Sequence, residues 1–288
     1  MKLTPGANLP AARRILSSVN CFRGVALLLV VASLNLVATP ASIAQPIDDP
    51  LALIKVAVRT ELDADDNDHS RWRYRDEQHE LGTVSIVVQT DFGSVKRLIS
   101  RSGKPLSTEE AAQEEERLNR FVHDSSKIAK QRKDGAADDK SARELLEMLP
   151  EAFTWSIEAE NPSVVRLHFE PRPDFHPPTL QSRALAAMNG SVVVDRSQHR
   201  IITISGRLTQ DVTFGFGLFG RLLRGGTFQV ERRQLAPRLW QITETHVHID
   251  GKALLFKSIG QQQDEVQTDY TPVPHGTTLE QAAVLSRP

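Results

Sequence analysis

The chain has 288 residues and a formal net charge of −1, with 35 Lys and Arg against 36 Asp and Glu. It therefore lacks the cationic excess with which nucleic-acid-binding proteins hold a phosphate backbone. Its one cysteine, Cys21, cannot close a disulfide within the chain or build a thiolate metal cluster, yet the length suffices to bury a core without cross-links.

The N-terminal region reads as an export signal. Arg13, Arg14 and Arg23 precede an apolar run from Val25 to Val37, which is too short to span a bilayer but suits the core of a signal peptide. Ser42 and Ala44 then stand at the −3 and −1 positions of a cleavage site. Residues 1–44 are expected to be removed, leaving a periplasmic or secreted domain from 45 to 288 with no transmembrane segment. A retained anchor is the competing reading, against which Asn35 and Pro40 interrupt the apolar stretch.

From Pro46 to Leu62, Leu51, Ile54, Val58 and Leu62 recur near helical spacing, and the acidic patch Asp63–Asp68 is expected to stop that helix. Strands are expected at 71–76 and 83–92, the first with Trp72 and Tyr74 turned inward and Arg71, Arg73 and Arg75 outward. A charged helical insertion follows at about 107–149. Ser107 and Glu110 form a capping box, 133–139 is read as a break, and a shorter helix is read from Ser141 to Leu149. Such a polar unit is expected to lie across the β domain, as a solvated excursion or as a lid.

Beyond Pro150 the period becomes two. Phe153, Trp155 and Ile157 alternate with polar residues, as do Val165, Leu167 and Phe169 after the Asn161-Pro162-Ser163 turn. A short helix is expected at 180–188, then strands at 191–195 and from 200 onward, where Ile202, Ile204, Gly206, Leu208, Val212, Phe214, Phe216 and Leu218 keep one parity. Further strands are expected at 227–233, 239–249 and 252–259, the last two joined through Asp250-Gly251. The fold class is thus mainly β with helical insertions (α+β): seven or eight antiparallel strands in a strongly curved sheet or barrel.

Two patterns carry possible chemistry. Residues 215–220 match G-x-G-x-x-G, but a dinucleotide site needs that motif between a strand and a helix, and both flanks here read as antiparallel strands. No cofactor is expected; the glycines permit a sharp bend. Glu244, His246 and His248 share one strand face, so two imidazoles and a carboxylate are candidate metal ligands of a β-barrel enzyme. The His-x-His is similar to that of cupins, although the glutamate cupins supply downstream is replaced here by Gly251–Phe256. A solvent-facing polar stripe is the alternative.

Met188–Asp195 and Arg200–Ser205 resemble the glycine-strand-aspartate-turn-strand unit of the LolA-like outer-membrane lipoprotein-sorting family, a likeness extending over about 153–273. The resemblance implies an unclosed β barrel with helices packed across it, which binds acyl chains of lipid or lipidated protein without catalysing a reaction. The insertion at 107–149 departs from that family, and no functional residue is carried over. Independently, a sheet with one apolar face and a polar helical cover leaves a groove. Phe214, Phe216, Leu218 and Phe219 are the candidates for its wall or mouth. An envelope scaffold or sensor that binds protein is the third reading.

Overall fold

The computed structural model describes residues 49–214, 220–253 and 261–288. The expected export segment, 1–44, lies outside them. Helix α1 (Pro50–Asn67) begins where Asp49 caps it, accepting from the Leu51 amide at 3.0 Å, with Pro50 in the first turn. The acidic run Asp63–Asp68 does not stop this helix but forms its exposed last turn. There Arg143 neutralises Asp65 and Asp66, at 3.7 and 2.8 Å.

Strands β1 (Trp72–Gln78), β2 (Thr83–Thr90), β3 (Gly93–Arg101) and the short β4 (Lys104–Pro105) form a meander. Helices α2 (Thr108–Val122) and α3 (Ser125–Ala152) follow. The capping box of Ser107 and Glu110 starts α2 as expected. The expected break at 133–139 is absent: α3 runs through Gly135 and carries Pro150 in its last turn. One glycine costs only about 1 kcal/mol in a helix, and the i,i+4 pairs Lys130–Asp134, Lys140–Glu144 and Arg143–Glu147 bracket it. The interruption falls instead at 123–124, where Asp124 caps α3.

A second meander comprises β5 (Phe153–Glu160), β6 (Val164–Pro171), helix α4 (Leu180–Ala186), β7 (Met188–Asp195) and β8 (Ile201–Leu208). The chain then leaves for β9 (Val212–Phe214) and β10 (Gly220–Leu222), and returns as β11 (Thr227–Ala236) and β12 (Leu239–Ile249). Strand β13 (Gly251–Ala253) pairs with β10, not with β12, so Asp250-Gly251 is not the expected hairpin. Both edges of β12 are already taken by β11 and β14 (Gln261–Pro272), leaving the chain after Asp250 no place beside it. Helix α5 (Leu279–Leu285), with Thr278 and Gln281 as its capping box, ends the fold.

Among the described residues the antiparallel strands form one open eleven-stranded sheet, ordered β4-β3-β2-β1-β14-β12-β11-β8-β7-β6-β5, and a small sheet, β13-β10-β9. Pairing register assigns each side chain to a face. Tyr74, Asp76, Glu265, Thr245, Val247, Phe228, Val230, Ile204, Val192 and Leu167 share the inner face. Arg75, Ile86, Val88, Val95, Asp264, Glu244, His246 and Glu231 share the outer one.

Two apolar cores result, on opposite faces. The larger packs Leu53, Ile54, Ala57 and Val58 of α1 and Leu149 of α3 onto the inner face, against Phe153, Leu167, Phe169, Val192 and Ile201. Phe169 is fully enclosed, and its ring lies over glycines of β7 and β8. A Cβ at Gly190 would stand 2.0 Å from the Ser205 carbonyl oxygen, and one at Gly206 would stand 2.6 Å from the Phe228 ring. The smaller core packs Leu118 and Val122 of α2 and Leu279, Ala282 and Ala283 of α5 onto Ile86, Val88 and Val95 of the outer face. Trp72 is buried as expected, and Tyr74 and Tyr270 stack at 5.1 Å.

The insertion also shields an open sheet edge. Glu114 accepts from the Leu98 amide at 2.8 Å, and Arg117 donates to the Lys96 carbonyl at 2.6 Å. The Gln131 amide pairs with both backbone groups of Ser94, at 3.0 Å each. Side chains thus replace the missing neighbour strand along β3. No described helix is long and apolar enough to cross a membrane.

Candidate functional site

Between the inner face and helices α1, α3 and α4 lies a groove of about 1570 Å³. Its floor is Ile204 of β8, Phe228 and Val230 of β11, and Val247 and Ile249 of β12. These side chains share one face because alternate residues of antiparallel strands stand in register: Val230 lies opposite both Ile204 and Thr245, and Phe228 opposite Val247. Helix α3 forms the roof. Where it crosses, Gly135, Ala136 and Ala142 keep the helix from filling the space, and Leu145, Leu146 and Leu149 extend the apolar lining toward the core.

One bank of the groove is polar. Gln263, Glu265 and Gln267 of β14 line it, with Tyr74 and Gln89. Gln263 and Gln267 each donate to Glu265, at 2.7 and 2.6 Å. Asp76 lies beside Glu265 and pairs with Lys96. Burial pushes the Asp76 carboxyl up to about 6; Glu265 adds to the rise and Lys96 opposes it. Burial alone would raise Glu265 too, but the hydrogen bonds from Asp76, Gln267 and Gln263 outweigh it and hold that carboxyl below its usual range. Of the two carboxyls, Asp76 is therefore the one that takes up a proton first as pH falls. Burial raises the phenol of Tyr74 as well, with Asp76 and Glu265 adding to the shift.

One end of the groove is cationic. Glu61 of α1 is buried, with its side chain 4% exposed, and two guanidiniums share it. Arg200 donates to its Oε2 at 2.9 Å, Arg232 pairs with the same oxygen, and the Ile201 amide donates to Oε1 at 2.6 Å. Burial would raise the Glu61 carboxyl, but Arg232 and Arg200 together prevail and hold it low. The Arg200 guanidinium also lies 5.8 Å from the Trp240 ring centre, and it donates to the Arg238 carbonyl at 3.2 Å.

Of the residues singled out by sequence, Phe214, Glu244, His246 and His248 lie among the described residues. Phe214 ends β9 in the small sheet, while Phe216, Leu218 and Phe219 lie outside the described residues. The flanks of the glycine motif, Phe214 and Gly220, pair antiparallel, which is not the strand-to-helix setting of a dinucleotide site. Glu244, His246 and His248 do share a face, but it is the outer one, away from the groove.

On that outer face Glu244 and His246 belong to a chain of alternating acidic and basic side chains across four strands. Arg233 meets Glu244 at 2.8 Å, Glu244 meets His246 at 3.6 Å, and His246 meets Asp264 at 2.7 Å. Asp264 meets His79 at 3.4 Å, His79 meets Glu77 at 3.8 Å, and Glu77 meets Arg75 at 2.8 Å. His248 turns to Gln262 at 3.0 Å. Burial would raise the Asp264 carboxyl, but His246 and His79 hold it below its usual range. Among the described residues no three His, Cys, Asp or Glu side chains are arranged to hold a metal ion.

Of the floor residues, Ile204 stands on the apolar parity that begins at Ile202, whereas Val247 and Ile249 escape a reading of β12 by its polar parity. The same strand carries Thr245, Val247 and Ile249 on the other parity, and Phe228 and Val230 alternate likewise in β11. That alternation is the sequence signal for the floor. No protein-family model, curated protein or solved structure matches the chain.

Proposed function

We propose that this protein binds an acyl chain, of a lipid or of a lipidated protein, in the inner-face groove and catalyses no reaction on it. The observation that carries the reading is the half-buried apolar floor of Ile204, Phe228, Val230, Val247 and Ile249 under a cavity of about 1570 Å³. Sites for compact ligands measure about 300–1,000 Å³, so this one suits a long chain better than a small metabolite. Burying apolar surface contributes about 25 cal/mol per Å², and a floor left half-buried is a standing source of binding energy. The open antiparallel sheet with helices across it is also the architecture that the resemblance to LolA-like carriers implies.

The metal-dependent alternative has less behind it, since Glu244 and His246 are engaged in the outer-face charge chain. Export through the segment ending at Ala44 would bring the protein to its ligand outside the cytoplasm. Intact mass of protein recovered from the periplasm should then begin at Gln45.

The direct test is titration of the domain with a fluorescent fatty acid, together with solvent extraction of freshly purified protein. Wild type should take up the probe or yield lipid. Val247→Gln should weaken uptake about tenfold, because an amide in the floor costs roughly 1–3 kcal/mol when an apolar chain covers it. If no probe binds and no lipid is extracted, the groove is not a lipid site and the scaffold reading replaces it.

A further inference from the structure

We propose that the groove selects an anionic amphiphile, whose carboxylate or phosphate headgroup pairs with Arg232 and Arg200 while its chain lies along Val230 and Val247. This inference rests on the groove being a lipid site and specifies which lipids it takes. The cationic end is continuous with the apolar floor. Arg232 follows Val230 by two residues on β11 and faces Ile242 of β12, so its guanidinium stands where the apolar row ends.

The charge count at this end does not close. Tying α1 to the sheet needs one cation against Glu61, and Arg200 supplies it at 2.9 Å. Arg232 is a second cation on the same carboxylate oxygen, and its side chain is only 20% exposed. Buried charges are ordinarily paired, and an incoming anion would offset the surplus. Donors remain for it: among the described residues only Nη1 of Arg232 makes a hydrogen bond, and the buried Nε of Arg200 has no partner. Guanidinium groups suit carboxylate and phosphate oxygens because their planar donors meet them in pairs.

Other groups favour the same orientation. The opposite bank carries the Glu265 carboxylate, which repels an anion. The nearer acids of α1 are engaged: Asp65 with Arg143 at 3.7 Å, and Asp68 with Gln241 at 3.1 Å.

The test compares decanoate, decanol and inorganic phosphate as displacers of a bound fluorescent chain from residues 45–288. Decanoate should displace about tenfold better than decanol, with the advantage shrinking at high salt, and phosphate alone should not displace. Arg232→Gln, which leaves the Glu61–Arg200 pair in place, should remove the advantage and leave decanol unchanged. Should that variant not fold, the acid-to-alcohol ratio of wild type at low and high salt decides alone. Equal displacement by acid and alcohol overturns the headgroup inference while the groove reading stands. Phosphate binding as tightly as decanoate overturns it in favour of a free-anion site. If no probe binds wild type at all, it is the groove reading that fails.

Discussion

The two ends of the main sheet are covered on opposite faces. At the β5–β8 end, α1 and the last turns of α3 bury the inner face; at the β1–β3 end, α2 and α5 bury the outer face. A strand needs only its apolar parity covered, so each arrangement is sufficient locally. The consequence lies between them. Strands β11, β12 and β14 place no buried side chain in either core; Phe228 and Ile249 only pack against the edge of the larger one, and α1 and the polar, small-residue stretch of α3 border the groove over their inner face. A change of covered face along one continuous sheet thus leaves a cavity in the middle.

The sharpest way to break this comparison is to remove packing at each end and in the middle. Phe169→Ala empties an enclosed site above two glycines that cannot rearrange, and should cost about 3–5 kcal/mol in urea-induced unfolding. Leu118→Ala should cost less, near the lower end of the roughly 2–5 kcal/mol range, because α2 lies over a thinner core. A value near zero would mean that the insertion is a detachable cover and that the β1–β3 end stands without it.

The polar bank adds a pH signature of its own. The Asp76 carboxyl moves from about 3.9 in an unfolded chain to about 6 when folded, so the folded state holds the proton more tightly. Its stabilising contribution is full below about pH 4 and is lost as pH rises through about 6. Asp76→Asn, which resembles the protonated form, should flatten the stability profile over that interval, as followed by thermal unfolding at stepped pH. An unchanged slope would mean that Asp76 is not the group that titrates there.

The smallest effect on stability should come from the groove floor. Val230→Gln is expected to change unfolding free energy by less than about 1 kcal/mol, because the side chain is only partly buried and water can reach its amide. Its effect should appear instead in uptake of a fluorescent acyl chain. A cost as large as that of Leu118→Ala would show that the middle of the sheet is packed core.

Local spacing was enough for much of this molecule. The strands at Phe153–Glu160, Val164–Pro171 and Leu239–Ile249 follow from period-two alternation, because each has one dry and one wet face. The start of α2 follows from a capping box four residues long. Strand β14 was not legible: Gln261–Glu265 shows no apolar alternation, since its inner face is the polar bank and its outer face carries Asp264 of the charge chain. Its place is set by β1 and β12, which pair with it from distant parts of the chain.

The groove has the same origin. Alternation in β8, β11 and β12 marks which residues share a face, but not whether a helix covers that face, since the helices arrive from α1 at one end of the chain and α3 in its middle. The Glu61–Arg200–Arg232 cluster was likewise invisible, each residue being an ordinary charge in its own segment. Residue periodicity depends on neighbours two to four positions away, and it specified the elements and their apolar sides. Which face each end buries, where the floor stays open and which charges meet there depend on contacts between segments far apart in sequence, and these only the tertiary structure decided.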